Sequence, residues 1–248
     1  MATRVSTTAP ARTDVDAVPA TLAAPPVVRR PARAWALAGV GAGLASAATV
    51  VLTSSIDTVY QPGREGDISG VGVALADHVP AMFAFHSVAV AGALLTLVFA
   101  AGLHRLLASR LPGSMLPLLA FAGLAGTAVV SILGSGLDTE LMVGMASGMK
   151  VDDPTAAAYN HWIGTIPWVA VLSGLAGVAL FGAARQGAAP RWLGLAGIVL
   201  GGLTLLVGTS PLQYLAIVPA TLWMLVTSIG LLVGDRADAG APTTTMAR

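Results

Sequence analysis

The chain has 248 residues, 55% of them apolar and 10% charged, with a formal net charge of +1 at pH 7. Soluble domains carry roughly 25% charged residues because a surface in water needs them, so this composition argues against a water-soluble globule and for a polytopic membrane protein. The absence of cysteine removes disulfide frameworks, thiolate zinc sites, iron–sulfur clusters and thiol redox chemistry.

Residues Met1 to Arg33 are rich in Ala, Thr, Pro and Arg, and Pro19, Pro25, Pro26 and Pro31 interrupt any helical period. A disordered cytoplasmic tail is expected there. No apolar run directly follows a basic start, so no cleaved signal peptide is expected.

Beyond Arg33, charge-free apolar stretches alternate with short charged ones, and about 20 apolar residues in a helix suffice to cross the hydrocarbon. The pattern predicts an all-α membrane protein, a bundle of six transmembrane helices over residues 34–234. The predicted helices are Ala34 to Ile56, Val79 to Leu103, Ser114 to Leu137, Trp162 to Ala184, Trp192 to Gly208 and Leu212 to Gly234. Thr209-Ser210-Pro211 divides the last two, since proline cannot donate to the helix ladder. Residues 235–248 are expected to form a second disordered cytoplasmic tail.

Basic residues are retained on the cytoplasmic side. One side of the predicted bundle holds Arg4, Arg12, Arg29, Arg30, Arg33, Arg105, Arg110, Arg185, Arg191, Arg236 and Arg248, and the other only Arg64 and Lys150. Both termini are therefore predicted to be cytoplasmic. The outer side collects Asp57, Glu65, Asp67, Asp77, Asp138, Glu140, Asp152 and Asp153. The alanine, glycine and arginine bias suggests a high-GC bacterial genome, which makes the bacterial cytoplasmic membrane the expected location.

Small residues such as Gly39, Gly43, Gly123, Gly126, Gly174, Gly177, Gly197 and Gly201 recur along the predicted helices. In lipid, close van der Waals approach at such residues is a main source of helix association. Gly39-Val40-Gly41-Ala42-Gly43 lies inside a predicted span with no strand before it, so it is not read as a nucleotide-binding loop.

The segment Ala189-Pro190-Arg191-Trp192-Leu193-Gly194, with Gly197, Gly201, Pro219, Leu222-Trp223 and Leu231-Leu232 after it, resembles an uncharacterised bacterial family of six-helix integral membrane proteins, known only as a domain of unknown function. His104-Arg105-Leu106-Leu107 adds to the likeness. The resemblance implies the six-helix topology and no catalytic residues.

Polar residues inside a membrane are costly, which makes each a candidate for function. His86 falls about 10 Å inside the second predicted helix. Its plainer reading is a histidine bonded to a helix carbonyl or to Ser131 or Ser135; its functional reading is a ligand or proton-transfer group. Asp138 and Glu140 end the third helix, and residues two apart point to different faces, so Asp138 is taken as the inward one. His161, beside Tyr159, Asn160 and Trp162, opens the fourth. His86, Asp138, Glu140 and His161 are thus candidate ligand-binding residues of an outward-facing polar pocket. His86, Asp138 and His161 are the candidate metal ligands, without an HExxH spacing to support them. Met142, Met145 and Met149 share a helical face that is read as apolar packing before copper ligation. Haem would need His86 and His161 at matched depth.

The favoured reading is a non-catalytic membrane component in contact with the lipid bilayer, with a membrane-protein partner or a second copy as possible company. The alternatives are a protein that binds or transports a small solute, proton or metal, and a metal-dependent hydrolase at the outer leaflet. Nucleic acid is not expected, because Arg29, Arg30 and Arg33 serve as topology determinants.

Overall fold

A computed structural model describes residues 34–64, 66–136, 138–165 and 170–239. The expected tail at 1–33 and residues 240–248 lie outside the described residues. Among the described residues all regular structure is helical.

Helix α1, Ala34–Ile56, coincides with the first predicted span. A short helix α2, Val71–Ala76, follows in the loop, where the apolar pattern announced none. Helix α3, Val79–Arg110, overruns its expected end at Leu103. Its last two turns stay amphipathic, with Leu103 and Leu107 buried and Arg105 and Arg110 exposed, so the hydrogen-bond ladder continues beyond the charge-free stretch. Arg110 donates to the Ala188 carbonyl at 2.9 Å.

Helix α4, Leu116–Gly136, matches the third expected span to within two residues at its start, and Leu137 lies outside the described residues. Helix α5 is Thr139–Ala146 and α6 is Asp153–Thr165. The expectation of one helix from Trp162 to Ala184 is corrected here: Trp162 belongs to α6, and the apolar stretch resumes at Ala170 as α7, Ser173–Arg185, after one tight turn. Residues 166–169, between the two, lie outside the described residues.

The next stretch runs from α8, Arg191–Ala196, through a π-helical turn, Gly197–Gly201, into α9, Gly202–Gly208. After Pro211, a 3₁₀ turn, Gln213–Ala216, leads into α10, Ile217–Ala239, which continues past the expected end at Gly234.

Ala34–Ile56, Val79–Arg110, Leu116–Ala146, Arg191–Gly208 and Gln213–Gly234 are long and apolar enough to cross a membrane, and Ala170–Arg185 is a shorter apolar helix. Their outward faces carry exposed Leu37, Val51, Leu94, Val98, Val129, Leu133, Leu206 and Val233. A soluble protein rarely leaves so much contiguous apolar surface uncovered; lipid chains cover it without cost. Trp192 is exposed at the end of the bundle that carries the arginines, and Tyr60, Trp162 and Tyr214 at the acidic end, the placement of interfacial aromatic belts.

Packing follows chain order: α1 lies on α3, α3 on α4, α4 on α7 and α7 on α8 and the π turn, while α10 returns to α1. Backbones approach closely where glycines face one another. A Cβ on Gly177 would lie 2.7 Å from the Gly197 carbonyl oxygen, and one on Gly174 would lie 2.6 Å from that of Gly201.

Two apolar clusters form. One, towards the arginine end, includes Phe99, Leu103, Leu124, Leu180, Leu193 and Trp223. The other, at the acidic end, includes Ile56, Leu75, Met82, Phe85, Met142, Tyr159 and Ile163. Met142 and Met145 are buried there, whereas Met149 lies past α5 and is exposed, so the three sulfurs do not share a helical face.

Asp153 opens α6 and ties it to α2 by accepting the Gly72 amide at 2.8 Å and the Gly70 amide at 3.0 Å. The Gly72 bond foremost, then that of Gly70, holds the carboxyl below its ordinary value. A depressed folded-state pKa contributes stability above the unfolded value and loses it as pH falls through the folded one. Acidification below about pH 4 is therefore expected to loosen α2 from α6. The check is amide exchange at Gly70 and Gly72, corrected for intrinsic rates. Asp153→Asn should already show the faster exchange at neutral pH, and unchanged protection in that variant would contradict the tie.

Candidate ligand pocket

The last carbonyls of α4 have no partner within their own helix and draw donors from two neighbours. Trp162 Nε1 donates to the Gly134 carbonyl at 2.9 Å, and His86 Nδ1 to that of Ser135 at 2.9 Å. Because a carbonyl only accepts, Nδ1 carries the hydrogen, and Nε2 holds the lone pair in the neutral ring. His86 thus meets a helix carbonyl, the plainer of its two readings.

Asp138 is 1% exposed, and neither carboxylate oxygen has a hydrogen-bond partner among the described residues. Glu140 is exposed, the division that their spacing predicts. Burial first, and the Asp138 carboxylate second, raise the Tyr159 phenol above its ordinary value; that hydroxyl too is buried and unpartnered among the described residues. The third partner of this corner is therefore Tyr159, where the sequence suggested His161.

His161 turns the other way. It is exposed, shares a 2.6 Å hydrogen bond with the Tyr60 hydroxyl and meets that ring edge-on at 5.4 Å. Consecutive residues on a helix fan out by about 100°, so Tyr159, Asn160 and His161 reach three different neighbours. Among the described residues no three His, Asp or Glu side chains gather as metal ligands.

Asn160, between them, is 3% exposed and holds the end of α1. Its Nδ2 donates to Asp57 Oδ1 at 3.0 Å, and its Oδ1 accepts the Thr58 amide at 2.9 Å. Asp57 Oδ1 also accepts the amides of Val59 and Tyr60, each at 3.0 Å. This lock forms one wall of a vestibule of ≈ 380 Å³ at the acidic end, lined by Thr53, Ser54, Asp57, Tyr60, Asn160, Ile163 and Tyr214.

Thr53 also lines a second, deeper cavity of ≈ 90 Å³ between the two apolar clusters. Its walls come from one face each of five helical stretches. Helix α1 contributes Ser46 and Thr49 as well as Thr53, α3 Phe85, Gly92 and Thr96, and α4 Thr127, Ala128 and Ser131. Ala170 and Ser173 come from the start of the α7 stretch, and Ala220, Thr221 and Met224 from α10. Among the described residues no acidic or basic side chain lines this chamber, and none of His86, Asp138, Glu140 and His161 lines either cavity.

The sequence names Ser131 only as a partner of His86 and does not by itself group these hydroxyls. The signal was present: Ser46, Thr49 and Thr53, like Thr127 and Ser131, recur at three- and four-residue intervals and so form polar stripes on otherwise apolar helices. No family model, curated protein or solved structure matches the chain.

Proposed function

We propose that this is a non-catalytic, six-span protein of the bacterial cytoplasmic membrane that binds a small solute in a pocket open to the outer face. The observation that carries the reading is the hydroxyl-lined chamber among the helices, with Thr53 lining both it and the vestibule at the acidic end. A packed bundle with no ligand has little reason to keep polar side chains around an internal space. The hydroxyls have no base among the lining residues to activate them, which favours binding over nucleophilic chemistry.

The sixth crossing in this reading is Ala170–Arg185, about 24 Å as a helix. It packs beside α4 and α8, and it returns the chain to the arginine end before Arg191. The distribution of Arg and Lys supports a cytoplasmic location for that end and an outer one for the Asp57 end. The resemblance of the last helices to the uncharacterised six-helix family agrees with this topology.

A chain without cysteine allows a direct test by single-cysteine labelling. Thr53→Cys and Ser131→Cys are expected to react with a small membrane-impermeant methanethiosulfonate added from outside, and Ser109→Cys only after the cytoplasmic face is opened. Ala128→Leu, which fills the chamber, should block labelling at Ser131→Cys and spare Thr53→Cys. Labelling of Ser109→Cys from outside would reverse the orientation. Protection of Ser131→Cys from both sides would remove the pocket.

A further inference from the structure

Five of the eight hydroxyls that line the chamber give their hydrogens to helix carbonyls. Thr96 gives its hydrogen to the Gly92 carbonyl at 2.8 Å, Thr127 to Gly123 at 2.9 Å, and Ser131 to Thr127 at 2.8 Å. Thr49 donates to the Ser46 carbonyl at 2.7 Å, and Ser173 to that of Ala170 at 2.6 Å. Ser46 and Thr221 bond to each other at 2.6 Å, which uses one of their two hydrogens. A hydroxyl has one hydrogen and two lone pairs, so a wall most of whose hydrogens are committed offers its occupant chiefly acceptors. The surrounding backbone amides inside α1, α3, α4 and α10 are committed as well, those that open the α7 stretch at Ala170 being the exception.

An occupant must therefore bring donors in excess of acceptors. Carboxylates and phosphates bring none, an alcohol brings one donor against two lone pairs, and an amide is balanced. A primary amine brings two or three N–H donors. The space is right for a short one, since ≈ 90 Å³ corresponds to about three waters at roughly 30 Å³ each. One further feature favours the protonated form: Asp57 places a carboxylate in the vestibule that shares Thr53 with the chamber.

We infer that the chamber is a binding site for a short-chain primary amine in its ammonium form, held by the oxygens of Thr49, Thr96 and Thr127 and admitted past Asp57. This rests on the pocket reading above and names the chemical class of its ligand.

The test uses the full chain in lipid nanodiscs and three probes of similar size, 13C-labelled ethylammonium chloride, ethanol and sodium acetate, with binding followed by NMR. Ethylammonium should bind about 10-fold or more tightly than ethanol, and acetate should not bind. Joint replacement Thr49→Val, Thr96→Val and Thr127→Val keeps the volume and removes the oxygens. It should weaken ethylammonium about 10-fold or more and leave ethanol far less changed. Should the triple variant misfold, Thr96→Val and Thr127→Val singly should each weaken ethylammonium by about 2- to 5-fold. Ala128→Leu should abolish binding of every probe. Ethanol binding as tightly as ethylammonium, or ethylammonium surviving loss of the three oxygens, would overturn the amine assignment while the pocket stands. If no probe binds and Ser131→Cys also resists labelling, the chamber holds water only and both readings fall.

Discussion

Gly177→Val is expected to abolish the folded bundle. A Cβ at that position would sit 2.7 Å from the Gly197 carbonyl oxygen and 2.8 Å from Gly201 Cα. Both are backbone atoms of a helix, so no rotamer change relieves the contact. The crowding is reciprocal, because a Cβ on Gly197 would lie 2.5 Å from the Gly177 carbonyl oxygen. The α7 stretch and the π turn must move apart, and in lipid the lost van der Waals contact is not replaced by any hydrophobic drive between helices. Overpacking typically costs about 1–3 kcal/mol and occasionally more, and contact with rigid backbone puts this site at the upper end. Monodispersity in mild detergent and thermal unfolding check it, with Gly136→Ala as the control, since a Cβ there meets nothing within 4 Å. Equal behaviour of the two variants would contradict the glycine contact.

Asn160→Leu should be the next most damaging change, and it acts on the mouth of the pocket. Asn160 is buried, and its amide serves both Asp57 Oδ1 and the Thr58 amide, so an isosteric apolar side chain orphans a donor and weakens the support of a carboxylate at once. Each polar group left unsatisfied costs about 1–3 kcal/mol. The end of α1 and α6 then lose their main polar connection, and the vestibule wall between Asp57 and Asn160 opens. The expected result is a lower Tm together with weaker ethylammonium binding. Asn160→Asp separates the two effects: it keeps the shape, faces Asp57 with a second carboxylate, and should recover as pH falls and one of the pair takes a proton. A Tm for Asn160→Leu equal to that of the unaltered protein would remove the lock from this account.

Much of the helical frame was legible. Charge-free length marked α1 to the residue and placed the break at Thr209-Ser210-Pro211, because hydrocarbon thickness and the missing proline N–H act on the chain locally. The spacing of Asp138 and Glu140 foretold that they part company, and one is buried and the other exposed. The glycines at 174, 177, 197 and 201 were legible as contact points, though not as partners of one another.

The acidic end was harder to read. Helices α2 and α5 are too short to register as spans by themselves, and α6 is short and polar. His161 was grouped with His86 and Asp138 because all three belong to one level of the bundle. Depth is a one-dimensional coordinate, and the rotation of α6 about its own axis sends His161 to Tyr60 and Tyr159 towards Asp138. In helices apolar all round, sequence periodicity carries no signal that fixes such rotations.

Composition and the run lengths of uncharged residues by themselves determined that this chain is helical and built for lipid, since the transfer cost of charge applies residue by residue whatever the partners. Only the tertiary structure decided which polar groups meet. Ser and Thr satisfy their own helices through one hydrogen and leave lone pairs on the outer side of the oxygen, so each looks inert in the sequence. Packing places those oxygens around one cavity, and a shared space between helices is a property of five chain segments that no single segment encodes.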